Sequence, residues 1–216
     1  MFDILADTHK IVAKIVHDRI NDKYNVVLNL DKMLWGSVAP DILPYYKLKR
    51  HYLDESIDYI SKEIANLIYF CRYSFNENNE TSVFTSHISK KLGIIMHYLC
   101  DYVCYPHAYR MTFIGNMASH IKYEQDLNIY AKTYKLHEKD YKNKITVDNL
   151  NLFEDVDIKL KDKVKAYILN VIDEYKKENK SFDTDLDFAL DLSTRISLFV
   201  IESALVYSGD FDIQFI

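Results

Sequence analysis

The chain has 216 residues, 49% of them hydrophobic, with four glycines, three prolines and a formal net charge of −5. That length suits one domain with a sizeable core, and the shortage of turn residues favours long helices over many short strands. The acidic balance argues against a nucleic-acid partner, and no apolar run approaches the ~20 residues of a transmembrane helix. The start, MFDILADTHK, lacks the features of an export signal. Together with an odd count of three cysteines, this predicts a reduced cytoplasmic protein, secretion requiring a leader outside this sequence.

In chain order, a first helix is expected over about residues 7–21, with Asp7 or Thr8 as N-cap. Gly36, Pro40 and Pro44 then break the pattern across 35–46. Leu53, Ile57, Ile60, Ile64, Leu67 and Cys71 recur at helical spacing along one face. FNENNETS (75–82) reads as a polar loop. A helix over about 85–104 follows, disturbed by Pro106, and another runs from near Gly115 and Asn116 to about residue 138. Residues 138–163 are rich in Lys, Asp and Glu. Two more helices follow, one with an apolar stripe from Val164 to Tyr175 and one from Ala189 to Val206. The latter is apolar nearly all round and so central. The expected fold is all-α, a single compact domain of about six to seven helices over residues 1–216. Its metal-site half is 1–138 and its helical scaffold half 139–216.

The segment HYLCDYVCYPH (97–107) raises the question of chemistry. His97 and Asp101 are one helical turn apart and share a face, and His120 and Glu124 repeat that spacing on the next helix. His107 lies just past Pro106. His51 opens one helix, His9 sits in the first turn of another, and Asp41 follows Pro40 in the break between. Imidazole and carboxylate are the donors that borderline divalent metals prefer, and paired helices present such donors to dinuclear centres. His17, His87 and His137 stand alone and read as ordinary structural histidines. Cys100 and Cys104 flank the His97 face, but buried thiols more often act as small hydrophobes.

The order His9, APD (39–41), His51, HYLCDYVCYPH and HIKYE (120–124) resembles the bacterial zinc-dependent phospholipase C family. That family shares its all-helical tri-zinc fold with the single-strand-specific fungal nucleases. The resemblance covers residues 9–124, somewhat more than half of the chain. It implies a first zinc on His51, His97 and Asp101, and a second on His107, His120 and Glu124. Asp101 would bridge to a third zinc that His9 also holds, with Asp41 as the catalytic carboxylate. In the family an N-terminal Trp completes the third site. This sequence begins Met1-Phe2 and its Trp35 is internal, so the Met1 amine is the candidate third-zinc ligand.

The implied activity is hydrolysis of a phosphodiester, with a phospholipid as favoured substrate, by a water activated on two to three zinc ions. Two other readings stay open. One is a helical HD-type phosphohydrolase built on His17–Asp18 in VHDRI (16–20). The other is a metal-binding or interaction protein on a hydrolase scaffold that has lost activity. The lysine-flanked stripe of 159–177 keeps peripheral membrane contact open.

Overall fold

The structure, a computed structural model, describes residues 7–46, 51–75, 82–111, 117–134 and 159–211. Among these residues there are nine helices: α1 (Asp7–Tyr24), α2 (Leu30–Gly36), α3 (Ala39–Ile42), α4 (Leu53–Phe75), α5 (Ser82–Tyr102), α6 (Tyr105–Ala108), α7 (Met117–Ala131), α8 (Leu160–Tyr175) and α9 (Phe182–Phe211). The six long ones correspond to the six helices expected from the sequence. The three short ones fall where the sequence reads as a break or a disturbance. α2 is capped by Asn29, whose side chain accepts the Lys32 N–H at 3.0 Å. Pro40 and Pro106 each sit at the start of a four-residue helix, where a missing N–H costs nothing. Pro106 therefore opens a new turn rather than merely ending α5.

α1 ends at Asn25, which takes the left-handed conformation (φ 53°) that an asparagine tolerates at a helix end. Its expected N-cap residues, Asp7 and Thr8, instead lie inside its first turn. α7 stops at Ala131, short of residue 138. There the N–H groups of Thr133 and Tyr134 both turn back to the Tyr130 carbonyl, and the Thr133 hydroxyl competes for the same oxygen. The expected helix start at Gly115 and Asn116, and His137, lie outside the described residues.

α9 begins earlier than its apolar pattern suggests. Ser181 Oγ accepts the Thr184 N–H at 3.1 Å, and acidic Asp183 and Asp185 occupy the first turn, where the helix dipole favours negative charge. This helix packs against α1, α4, α5, α7 and α8. Leu192, Ile196, Phe199 and Val200 of α9 meet Ile60, Ile64 and Ile68 of α4 and Leu92, Ile95 and Leu99 of α5 in one buried cluster. Val164, Ile168, Val171 and Ile172 of α8 are buried in it too. The apolar stripe of 159–177 is thus covered by protein and is not a face left for a membrane.

One close crossing positions the chemistry. α2 and α5 touch through glycines: a Cβ added at Gly36 would lie 2.2 Å from the Lys90 carbonyl oxygen, and one added at Gly93 would lie 2.2 Å from that of Met33. Only glycine permits this approach. It brings the Ser37 carbonyl onto α5 one turn beyond Gly93, beside His97.

Candidate metal centre

Eight side chains converge from five helices and one loop. α1 supplies His9, α3 supplies Asp41 and the bend before α4 supplies His51. α5 supplies His97 and Asp101, α6 supplies His107, and α7 supplies His120 and Glu124. Their donor atoms form three groups, each within 4.8 Å: His51, His97 and Asp101; His107, His120 and Glu124; and His9, Asp41 and His97. Asp101 links them. Its Oδ2 lies 3.0 Å from His51 Nδ1 and 3.4 Å from His97 Nε2, while its Oδ1 lies 3.5 Å from His9 Nε2 and 4.0 Å from His107 Nε2. Asp41 Oδ1 is 3.6 Å from both His51 Nδ1 and His97 Nε2, on a side chain that is 40% exposed.

Backbone carbonyls fix two of the imidazoles. A carbonyl oxygen only accepts, so His97 Nδ1, 2.9 Å from Ser37 O, must carry the hydrogen. Nε2 of this fully buried ring is then a lone pair. It faces the Asp101 carboxylate and, at 3.3 Å, His51 Nδ1. Likewise His120 Nδ1 donates to Met111 O at 3.0 Å, and its Nε2 faces Glu124 Oε1 at 2.9 Å. The same Oε1 lies 2.9 Å from His107 Nε2. Acceptors held against acceptors at these distances need a proton or a cation between them.

Burial decides which of the two suits the inner group. It holds His97 at about 4, neutral at ordinary pH, and with His97 beside it His9 is likewise held at about 4. Burial works against the Asp101 charge, yet His107, His97 and His51 outweigh it and keep the carboxyl well below its usual range. For Glu124, hydrogen bonds from His107 and His120 outweigh burial and hold it at about 2. Burial lowers His51 and His120, but Asp101 and Glu124 respectively raise them above the ordinary imidazole value. Desolvation raises the Asp41 carboxyl. Zinc ligates neutral imidazoles beside ionised carboxylates: His9 and His97 are held neutral already, whereas His51 and His120 give up a proton more readily to a cation than to water. Asp101 Oδ2, His9 Nδ1 and His107 Nδ1 are also buried without an aligned hydrogen-bond partner among the described residues. The donor set, with the unsatisfied Asp101 Oδ2 at its middle, fits divalent zinc.

A cavity of about 340 Å³ opens against these groups, lined by His9, His107 and His120 together with Leu127, Leu186 and Ala189. α9, from the second half of the chain, thus forms one of its walls.

Residues without conspicuous sequence signals hold the ligand-bearing pieces in place. Asp185 on α9 accepts the Tyr105 N–H at 3.0 Å, the Tyr123 hydroxyl at 2.9 Å and the Tyr175 hydroxyl at 2.7 Å. It thereby ties α6, which carries His107, to α7, which carries Glu124. Arg110 pairs with Asp54 and, at 3.0 Å, with Glu55, which presses the end of α6 onto the start of α4 beside His51.

Other sequence candidates lie apart. His17 is spent on Asp18 Oδ1 at 3.0 Å and the Leu28 carbonyl at 3.2 Å, and it belongs to no donor group among the described residues. The HD-type reading therefore has no site among the described residues. Cys100 and Cys104 border the cavity but join none of the three groups. Burial pushes the Cys100 thiol up to about 12 and the Cys104 thiol well above its ordinary value, so neither supplies a thiolate. His87 stands on α5 away from the centre, against Phe70. Met1 lies outside the described residues.

Comparison with known proteins bears on the same residues. The family described as zinc dependent phospholipase C matches residues 8–181. Among solved structures, the chain is similar to Clostridium perfringens alpha-toxin from avian strain SWCP, with 17% identity and a TM-score of 0.48. That match covers 98% of this chain and 63% of the toxin chain, so this chain spans less than two thirds of its length. No curated protein matches. No helix among the described residues is long and apolar enough to cross a membrane.

Proposed function

Because the chain belongs to the zinc-dependent phospholipase C family, we propose that it hydrolyses a phosphodiester, with a phospholipid as the favoured substrate and two to three zinc ions as cofactor. The observation that carries the reading is the inner group of facing acceptors. His97 Nε2, Asp101 Oδ2 and His51 Nδ1 meet within 3.4 Å around a buried imidazole that desolvation keeps unprotonated.

His51, His97 and Asp101 hold one ion, and His107, His120 and Glu124 hold the second. Asp101 reaches with Oδ1 toward His9 for a third. When bound, zinc supplies Lewis acidity toward phosphoryl oxygens and lowers the pKa of water. The chain's own residues do the rest. Ser37 and Met111 carbonyls lock two imidazoles so that Nε2 faces inward. Asp41, whose side chain is 40% exposed and whose Oδ1 lies 3.6 Å from His51 Nδ1 and His97 Nε2, orients the attacking water and accepts its proton. The apolar cavity wall excludes water from the bound ester.

The test is metal content by mass spectrometry on tag-free protein purified without added metal or chelator, followed by a phosphoester screen. Two to three zinc per chain with turnover of a phosphodiester is the expected result. Less than about a tenth of an ion per chain, persisting after zinc is offered, removes the reading.

A further inference from the structure

α6 ends in a closed turn. The Met111 N–H bonds the Pro106 carbonyl at 2.8 Å, and the Arg110 N–H bonds the His107 carbonyl at 3.2 Å. With Tyr109 as C-cap, this pair of bonds is the arrangement that turns a chain off a helix, and it needs the left-handed conformation at the residue after the cap. That residue is usually glycine. Here it is Arg110, at φ 48°, where the Cβ crowds the backbone and costs free energy.

The next residue supplies the contact that matters for the centre. Met111 O accepts the hydrogen of His120 Nδ1 at 3.0 Å, which leaves His120 Nε2 as the nitrogen facing Glu124. With right-handed angles at Arg110, α6 would run on. The Met111 N–H would then bond the His107 carbonyl, and its own carbonyl would point along the helix axis. The helix that carries His107 and the carbonyl that orients His120 are thus parts of one turn, and the φ of Arg110 sets their relation. Side-chain contacts account for an arginine at this position. Its guanidinium pairs with Asp54 and Glu55 and lies 4.9 Å from the Tyr52 ring centroid. They tie it to the start of α4, whereas the Met111 carbonyl serves α7.

We propose that Arg110 is a positioning residue for the group of His107, His120 and Glu124, acting through its left-handed backbone rather than through its charge. This rests on the reading above only in taking that group to bind zinc.

Four substitutions separate backbone from side chain. Arg110→Gly and Arg110→Asn remove the guanidinium yet accept the left-handed conformation. Arg110→Ala and Arg110→Val also remove it but resist that conformation, valine most strongly. Zinc affinity is measured by titration against a competing chelator. The ring nitrogen chemical shifts of His120, identified by their loss in His120→Gln, report on its own group. Arg110→Gly and Arg110→Asn should stay within about twofold of wild type, while Arg110→Val should lose roughly 10- to 100-fold, as when an orienting partner of a ligand is removed. Arg110→Ala should fall in the same direction and carries the comparison where Arg110→Val does not fold. In zinc-free protein at alkaline pH the same shifts show which nitrogen carries the hydrogen. Nδ1–H should persist in Arg110→Gly and Arg110→Asn and give way to mixed tautomers in Arg110→Val.

An equal loss in all four variants gives the role to the guanidinium and overturns the proposal. So does full zinc affinity with an unchanged tautomer in Arg110→Val and Arg110→Ala. If wild type binds no zinc at His120, the hydrolase reading fails, and the tautomers of the zinc-free series decide this inference by themselves.

Discussion

The carbonyl oxygen of Ser37 accepts a hydrogen bond from His97 Nδ1 at 2.9 Å, and so sets which nitrogen of a fully buried imidazole faces the metal centre. The bond exists because Gly36 and Gly93 let α2 and α5 approach closely. Gly93→Ala should separate them, since its Cβ would meet backbone atoms, Met33 O and Ser37 N, that have no free rotation. The expected cost is about 1–3 kcal/mol of stability, with zinc affinity falling roughly 10- to 100-fold as the orienting bond is lost. Denaturant melts and zinc titration of the variant measure both. An unchanged zinc affinity would show that the carbonyl does not orient His97.

Asp101 touches the donors of every group, so its charge is the common counterweight to the bound cations. Asp101→Asn should remove at least one zinc per chain and lower turnover about a thousandfold, the order expected when several kcal/mol of Lewis-acid stabilisation go. Elemental analysis beside a phosphodiester assay checks the pair of outcomes together.

Asp41 is a more exposed carboxylate, at the mouth of the centre. With two other donors in its group, Asp41→Asn should retain the ions of the two triads while kcat drops by roughly 10²- to 10⁴-fold. Full turnover in this variant would remove the role given to Asp41.

Asp185 predicts a pH dependence unconnected with ligand protonation. Burial raises its carboxyl from the ordinary 3.8 to about 6, against the opposing pull of Tyr105 N–H, the Tyr175 and Tyr123 hydroxyls and the Cys104 thiol. The folded state thus binds this proton more tightly than the unfolded state. Its contribution to stability is fully present below about pH 4 and is lost as pH rises through 6, by about 3 kcal/mol. Asp185→Asn cannot ionise. In chelated protein, the stability of the variant relative to wild type should improve by that amount between pH 4 and pH 7, as read from urea midpoints. A pH-independent difference would place the titration elsewhere.

Much of the site is legible in the chain because its pairs are local. His97 with Asp101 and His120 with Glu124 each span one helical turn, and any helix through those residues puts the members of a pair together. Of the six long helices, α4, α8 and α9 follow from apolar periodicity in the same way. The short helices α2, α3 and α6 are less legible, because four to seven residues hold too little of a period to separate a turn of helix from a loop.

The sequence alone determined the helical class and the two His–carboxylate pairs, His97 with Asp101 and His120 with Glu124, since periodicity and one-turn spacing are properties of neighbouring residues. His9, Asp41, His51 and His107 are marked only by the order of motifs. Tertiary structure decided which donors share a group, which imidazole nitrogen faces inward, and how Asp185 is employed. Those features rest on contacts between residues 60 and 80 apart: Ser37 with His97, and Tyr105 with Asp185. A lone Ser or Asp carries no periodic signal. Its partner is chosen only when helix packing removes water and leaves one hydrogen-bonding group within reach.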